Sequence, residues 1–179
     1  MQYLTDALSI DPGDHTGWAI WKGDLRPEVG QINLSHAKNI KTLEQELTYL
    51  WIRFASLLDE VKPNLVLLEG VEFWEGSFKS ITAAKRQNLS KLSYLVGGYA
   101  NEALARGIKS RILPAREWKG QMSNSVLETK VQRINGQVYE SDHILNAVGI
   151  GLSVMGLFLN TRTSPRRAKK YKSGSESWR

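Results

Sequence analysis

Apolar residues follow two spacings along this chain, and the change from one to the other outlines its architecture. Leu8-Ser9-Ile10 is a short apolar run that ends at Asp11, with Pro12-Gly13-Asp14 behind it as a turn signal. Gly17-Trp18-Ala19-Ile20-Trp21 reads as a second strand closed by Gly23-Asp24, and Val29 to Leu34 alternates as a third. Together they predict an antiparallel meander. From Lys41 to Val61 the spacing lengthens: Leu43, Leu47, Leu50, Phe54, Leu57 and Val61 recur at three- and four-residue steps, the mark of an amphipathic helix. Lys62-Pro63-Asn64 stops it. Leu65-Val66-Leu67-Leu68 is continuously apolar, as in a strand buried on both faces, and ends at Glu69.

A loop through Phe73, Trp74 and Gly76 precedes a second long helix, expected over about residues 80–105 with Leu89, Leu92, Val96, Tyr99 and Ala103 as its apolar line. Ser110 to Leu113 reads as a fifth strand ended by Pro114, residues 124–134 as a short helix, and Ser141 to Leu159 as a last helix capped by Ser141 or Asp142. The order β-β-β-α-β-α-β-α predicts an α/β fold: a mixed sheet, a three-strand meander plus further strands, flanked by α-helices. One domain over residues 1–159 is expected. Residues 160–179 have few apolar side chains and read as a basic, disordered tail.

Composition narrows the chemistry. The chain has no cysteine, which removes disulfides, zinc-thiolate sites and a thiol nucleophile. No apolar run is long enough to span a bilayer, and the first residues lack the basic and apolar regions of a signal peptide. A cytoplasm-like compartment with no membrane partner is expected. The net charge of +6 is unevenly distributed: residues 1–75 carry 6 Lys/Arg against 12 Asp/Glu, and residues 76–133 carry 11 against 3. Residues 160–179 add 7 against one. A basic middle and a basic end suit a polyanion, although a solvated basic face with a solubilising tail fits the charge equally well.

Asp11 and Glu69 each end a buried strand run. If the two strands are neighbours, the carboxylates sit side by side at one sheet edge, where catalytic groups gather in open α/β sheets. Two close carboxylates repel unless protonated or bridged by a cation, and Mg2+ suits such an oxygen site. Separately, Asp11 before Pro-Gly is also an ordinary turn residue, and Glu69 could be merely exposed. In Glu140-Ser141-Asp142-His143-Ile144-Leu145-Asn146, helical spacing would project Asp142, His143 and Asn146 together from a helix start. A plain capping role for Asp142 is the alternative.

These segments resemble the motifs of the RuvC family of Holliday junction resolvases. Ile10-Asp11-Pro12-Gly13 with Thr16-Gly17-Trp18-Ala19 resembles the first motif, and Leu68-Glu69 with Phe73 the second. Pro114 with Trp118-Lys119-Gly120 is similar to a segment of phage-type members, and His143-Ile144-Leu145-Asn146-Ala147 with Gly149-Ile150-Gly151 resembles the third motif. The resemblance spans about residues 8–159. It implies an RNase H-like fold, a homodimer, and Mg2+- or Mn2+-dependent cutting of four-way DNA junctions, with no nucleotide cofactor.

By the same resemblance Asp11 and Glu69 are the first two metal-binding carboxylates, His143 is the third active-site position and Asn146 the fourth. The mechanism expected on that mapping has two cations about 4 Å apart, held by Asp11 and Glu69, with His143, Asn146 and, as this chain's own addition, Asp142 completing the sites. Asn146 departs from the family, which has Asp there. Asp142 could supply the missing charge, the change could have been introduced to inactivate the enzyme, or activity has weakened in this branch. Phe73 or Trp74 would stack on a base near the junction centre. Lys79, Lys85, Arg86, Lys91, Arg116, Lys119, Lys130 and Arg133 would contact phosphates, Lys119 foremost. Rival readings are a nuclease of flaps, forks or structured RNA, and a junction-binding protein that does not cut. An actin-like ATPase would need a longer chain and a second phosphate-binding loop.

Overall fold

The computed structural model describes residues 3–71 and 88–158. Their core is a five-stranded sheet of β1 (Thr5–Asp11), β2 (His15–Lys22), β3 (Glu28–Asn33), β4 (Leu65–Gly70) and β5 (Lys109–Pro114), in the order β3-β2-β1-β4-β5. The first three strands are the antiparallel meander expected, while β4 and β5 run parallel to β1. β1 lies in the middle, with neighbours on both edges and helices over both faces. Ala7 through Asp11 are accordingly all buried, and the segment reads as an almost unbroken apolar run.

Five α-helices and a one-turn 3-10 helix (Leu34–His36) complete the described chain: α1 (Leu43–Val61), α2 (Asn88–Ala105), α3 (Ala115–Trp118), α4 (Asn124–Asn135) and α5 (Asp142–Val154). α1 begins two residues later than its apolar pattern suggests. Thr42 caps it, its hydroxyl accepting from the Gln45 backbone while the Gln45 side chain reaches back to the backbone N–H of Thr42. Lys62 takes a left-handed conformation at the far end, and Pro63 follows. α1 and α2 cover one sheet face, where Leu50, Phe54, Leu58, Leu95 and Tyr99 pack on Leu8, Ile10, Val66 and Leu68. α4 and α5 cover the other, where Leu127, Val148 and Ile150 pack on Ala7, Trp21, Leu67 and Leu113.

Three features differ from the sequence expectation. α5 stops at Val154 rather than Leu159, in a turn where Gly156 adopts φ 76°. Ala115–Trp118, to which the apolar pattern assigns no element, forms a short helix and drives Trp118 into the core. In α2 the buried line is Leu95, Val96, Tyr99 and Ala103, while Leu89 and Leu92 are half-buried. The proposed tail lies outside the described residues. Among them, no helix is long and apolar enough to cross a membrane.

α5 lies unusually close to β1 and β2, and glycines permit it. A Cβ on Gly151 would lie 2.3 Å from the Trp21 indole, and one on Gly17 would lie 2.2 Å from the His143 carbonyl oxygen. Between them the buried Ser9 hydroxyl donates to the Ala147 carbonyl (2.7 Å) and accepts from Trp21 Nε1 (2.8 Å), which ties strand to helix. Gly17→Ala must therefore push the first turn of α5 off the sheet. A loss of about 1–3 kcal/mol in urea unfolding is expected; an unchanged midpoint would contradict this packing.

Candidate active site

The register of β1 against β4 builds the site. Ser9 lies beside Leu67 and Ile10 beside Leu68, so Asp11 and Glu69 are the next pair along the two strands. Alternation along each strand turns both toward the α5 face, the side to which Ser9 and Leu67 also point. Both carboxylates line one cleft of about 230 Å3 together with Pro12, Gly70, Leu89, Leu92 and Ala115. The half-buried leucines of α2 thus wall this cleft.

The turn behind Asp11 explains the spacing of the first motif. Thr16 is fully buried; its hydroxyl donates to the Gly13 carbonyl (2.8 Å) and accepts from the Gly13 N–H (3.2 Å). Tyr99 from α2 donates to the same hydroxyl (3.0 Å), and burial raises the phenol's pKa far above its ordinary value. Thr16 therefore pins the Pro12-Gly13 turn to the core and fixes where β1 releases Asp11.

α5 supplies the third side. Asp11 is 7% exposed, and its Oδ2 accepts from His143 Nδ1 (2.9 Å) and Asn146 Nδ2 (3.1 Å). An ionised carboxylate has no proton to give, so Nδ1 carries the hydrogen and a lone pair of neutral His143 can lie only on Nε2. The hydrogen bond to Asp11 raises the His143 pKa against an opposing burial cost, and the charges of Asp11, Asp142 and Asp14 add to the rise. Asn146 in turn accepts from Lys119 Nζ (3.0 Å), and Lys119 also donates to Asn124. Sequence reasoning placed Lys119 on DNA phosphates and did not foresee this link to Asn146. The short α3, absent from the apolar pattern, creates it by burying Trp118 under Gly149 and presenting the next residue to the site.

The remaining candidates are placed unequally. Asp142 lies at the start of α5 and is exposed. Among the described residues no three His, Asp or Glu side chains are gathered as a ready metal-ligand group. Lys91 bridges Asp14 (2.5 Å) and Glu46 (2.6 Å), joining the first turn, α1 and α2, so a phosphate would have to compete with two carboxylates for it. Lys130 lies 5.7 Å from the Phe158 ring centre. Phe73, Trp74, Lys79, Lys85 and Arg86 lie outside the described residues. A second cleft of about 340 Å3, lined by Asp14, His15, Lys91 and His143, adjoins the first.

Two adjacent carboxylates opening on one cleft form a hard oxygen donor set. It suits an ion such as Mg2+ that takes few protein ligands and keeps water for the rest.

The fold is the RNase H-like fold of the RuvC-type junction resolvases, as the motifs implied. Thermus thermophilus RuvC, solved in complex with Holliday junction substrate, superposes with a TM-score of 0.59 at 16% identity, over 86% of this chain and 94% of that one. The yeast mitochondrial Holliday junction resolvase Ydc2 gives 0.59 at 15%, over 90% and 83%. Fowlpox virus resolvase, solved with substrate Holliday junction DNA, gives 0.52 at 18%, over 84% and 98%. Neither protein-family models nor curated protein sequences match the chain.

His143 is the most direct reporter of this geometry. Its folded pKa lies above the ordinary 6.5, so the stabilisation from its bond to Asp11 is complete below about 6.5 and fades as pH rises through the folded value. In an NMR titration of the imidazole, His143 should titrate above 6.5, and Asp11→Asn should bring it down. An unchanged midpoint in Asp11→Asn would contradict the contact.

Proposed function

We propose that the protein is a structure-selective endodeoxyribonuclease that resolves four-way DNA junctions with the help of a divalent metal ion. The observation that carries this reading is the Asp11–Glu69 pair at adjoining strand ends, open to one cleft. The fold supports it, since two of its solved neighbours were captured with Holliday junction DNA. Two matched cuts across one junction call for two active sites, and a homodimer meets that need.

Asp11 and Glu69 would hold Mg2+ or Mn2+, and the bound ion would lower the pKa of a water and offset charge on the phosphate. Asp11 keeps one oxygen fixed by His143 and Asn146, so the carboxylate is oriented before any substrate arrives. Hydrolysis adds water to phosphorus and releases the 3′ oxygen, leaving a 5′-phosphate and a 3′-hydroxyl. The basic segment 76–133 would contact phosphates and make binding steeply salt-dependent. Phe73 and Trp74, the third and fourth residues after β4 in sequence, are proposed to stack on unpaired bases.

The test compares cleavage of a synthetic four-way junction, a flap and an RNA–DNA hybrid with Mg2+ or Mn2+. Cleavage of the four-way junction is expected, and Asp11→Asn should lower its rate about a thousandfold or more while junction binding survives. Preferred cutting of the flap or hybrid would transfer the activity to another substrate. Junction binding without cleavage would make the protein a binding module.

A further inference from the structure

Asn146 stands between Asp11 and Lys119, and the two ends of its amide cannot be exchanged. Nδ2 donates to Asp11 Oδ2 and Oδ1 accepts from Lys119 Nζ. Turning the amide over would set oxygen against carboxylate and NH2 against ammonium, so the neighbours fix its orientation. Held this way, Asn146 shows Asp11 a hydrogen-bond donor, and its only ligating oxygen already faces a cation. In this arrangement it is not a metal ligand but a neutral relay that carries the charge of Lys119 toward Asp11. Lys119 itself is built into place: it also donates to Asn124, and it lies 5.6 Å from the ring centre of Trp118, which is buried.

The two clefts divide along the same line. Asp11 and Glu69 open on the first, while His143 opens on the second with Asp14 and Lys91. An ion in the first cleft meets two carboxylates. An ion between Asp11 and α5 would have to break the bonds from His143 and Asn146 and approach the Lys119 ammonium. Charge counting agrees, because Asp11 and Glu69 together neutralise one divalent ion, and Lys119 offsets one phosphodiester.

We propose that each active site takes a single divalent ion, held by Asp11 and Glu69, and that Lys119, acting through Asn146, fills the electrostatic place of a second. This rests on the nuclease reading above and departs from the two ions expected on the family mapping. Lys119 is then a positioning residue: it orients Asp11 through Asn146 and adds fixed positive charge beside the phosphate.

Mn2+ binding to the full chain, followed by loss of the free-ion electron paramagnetic resonance signal, tests this without turnover. The wild-type chain should bind one Mn2+. Lys119→Gln removes a like charge near the ion, so Mn2+ should bind about three- to tenfold more tightly, while junction cleavage falls. Lys119→Arg retains the charge and should bind Mn2+ as the wild type does. Two ions of similar affinity in the wild type overturn the proposal and leave the nuclease reading standing. So does unchanged or weaker binding in Lys119→Gln, or equal tightening in both variants. Failure of the wild type to bind Mn2+ removes both readings.

Discussion

The parallel pairing of β1 with β4 is the constraint on which the site depends. It brings Asp11 and Glu69 to the same end of the sheet and, through strand alternation, to the same face. Two carboxylates so placed repel each other, and they stay there because the strands beneath them are committed elsewhere. Leu8, Ile10, Val66 and Leu68 are fully buried against α1 and α2, and a one-residue slip would turn those side chains to the wrong face. The core therefore holds in place a pair of charges that would not choose one another, as expected where a fold keeps a functional site.

The third side of the site depends on how closely α5 approaches the sheet. Gly17 and Gly151 remove the side chains that would hold it away, and Ser9 bonds across the gap. The same approach delivers His143 and Asn146 to Asp11. Stability and site geometry are coupled here through one contact surface, since any change that lifts the first turn of α5 also releases Asp11 Oδ2. The Thr16–Tyr99 bond plays the matching part on the other face, pinning the turn from which Asp11 emerges.

Much of this was legible from spacing. The meander, both long helices and the two strand-end carboxylates follow from apolar periodicity and turn residues, which are local signals. That β1 and β4 are neighbours is not local, and only the motif order hinted at it. The Lys119–Asn146–Asp11 chain could not be read at all, because it depends on three side chains from separate elements meeting in space. Lys91 shows the converse: a basic residue in a basic segment reads as a nucleic-acid contact, yet here it bridges Asp14 and Glu46. Asn146 looked like a lost ligand in sequence. In the structure its amide has a use that an aspartate could not serve, because it donates to one neighbour and accepts from the other.

Anomalous diffraction from a crystal of the protein soaked in Mn2+ tests the account most directly. It predicts a peak in the cleft at the ends of β1 and β4, in contact with both Asp11 and Glu69. A peak that touches neither carboxylate, or none at a Mn2+ concentration that supports cleavage, would contradict it.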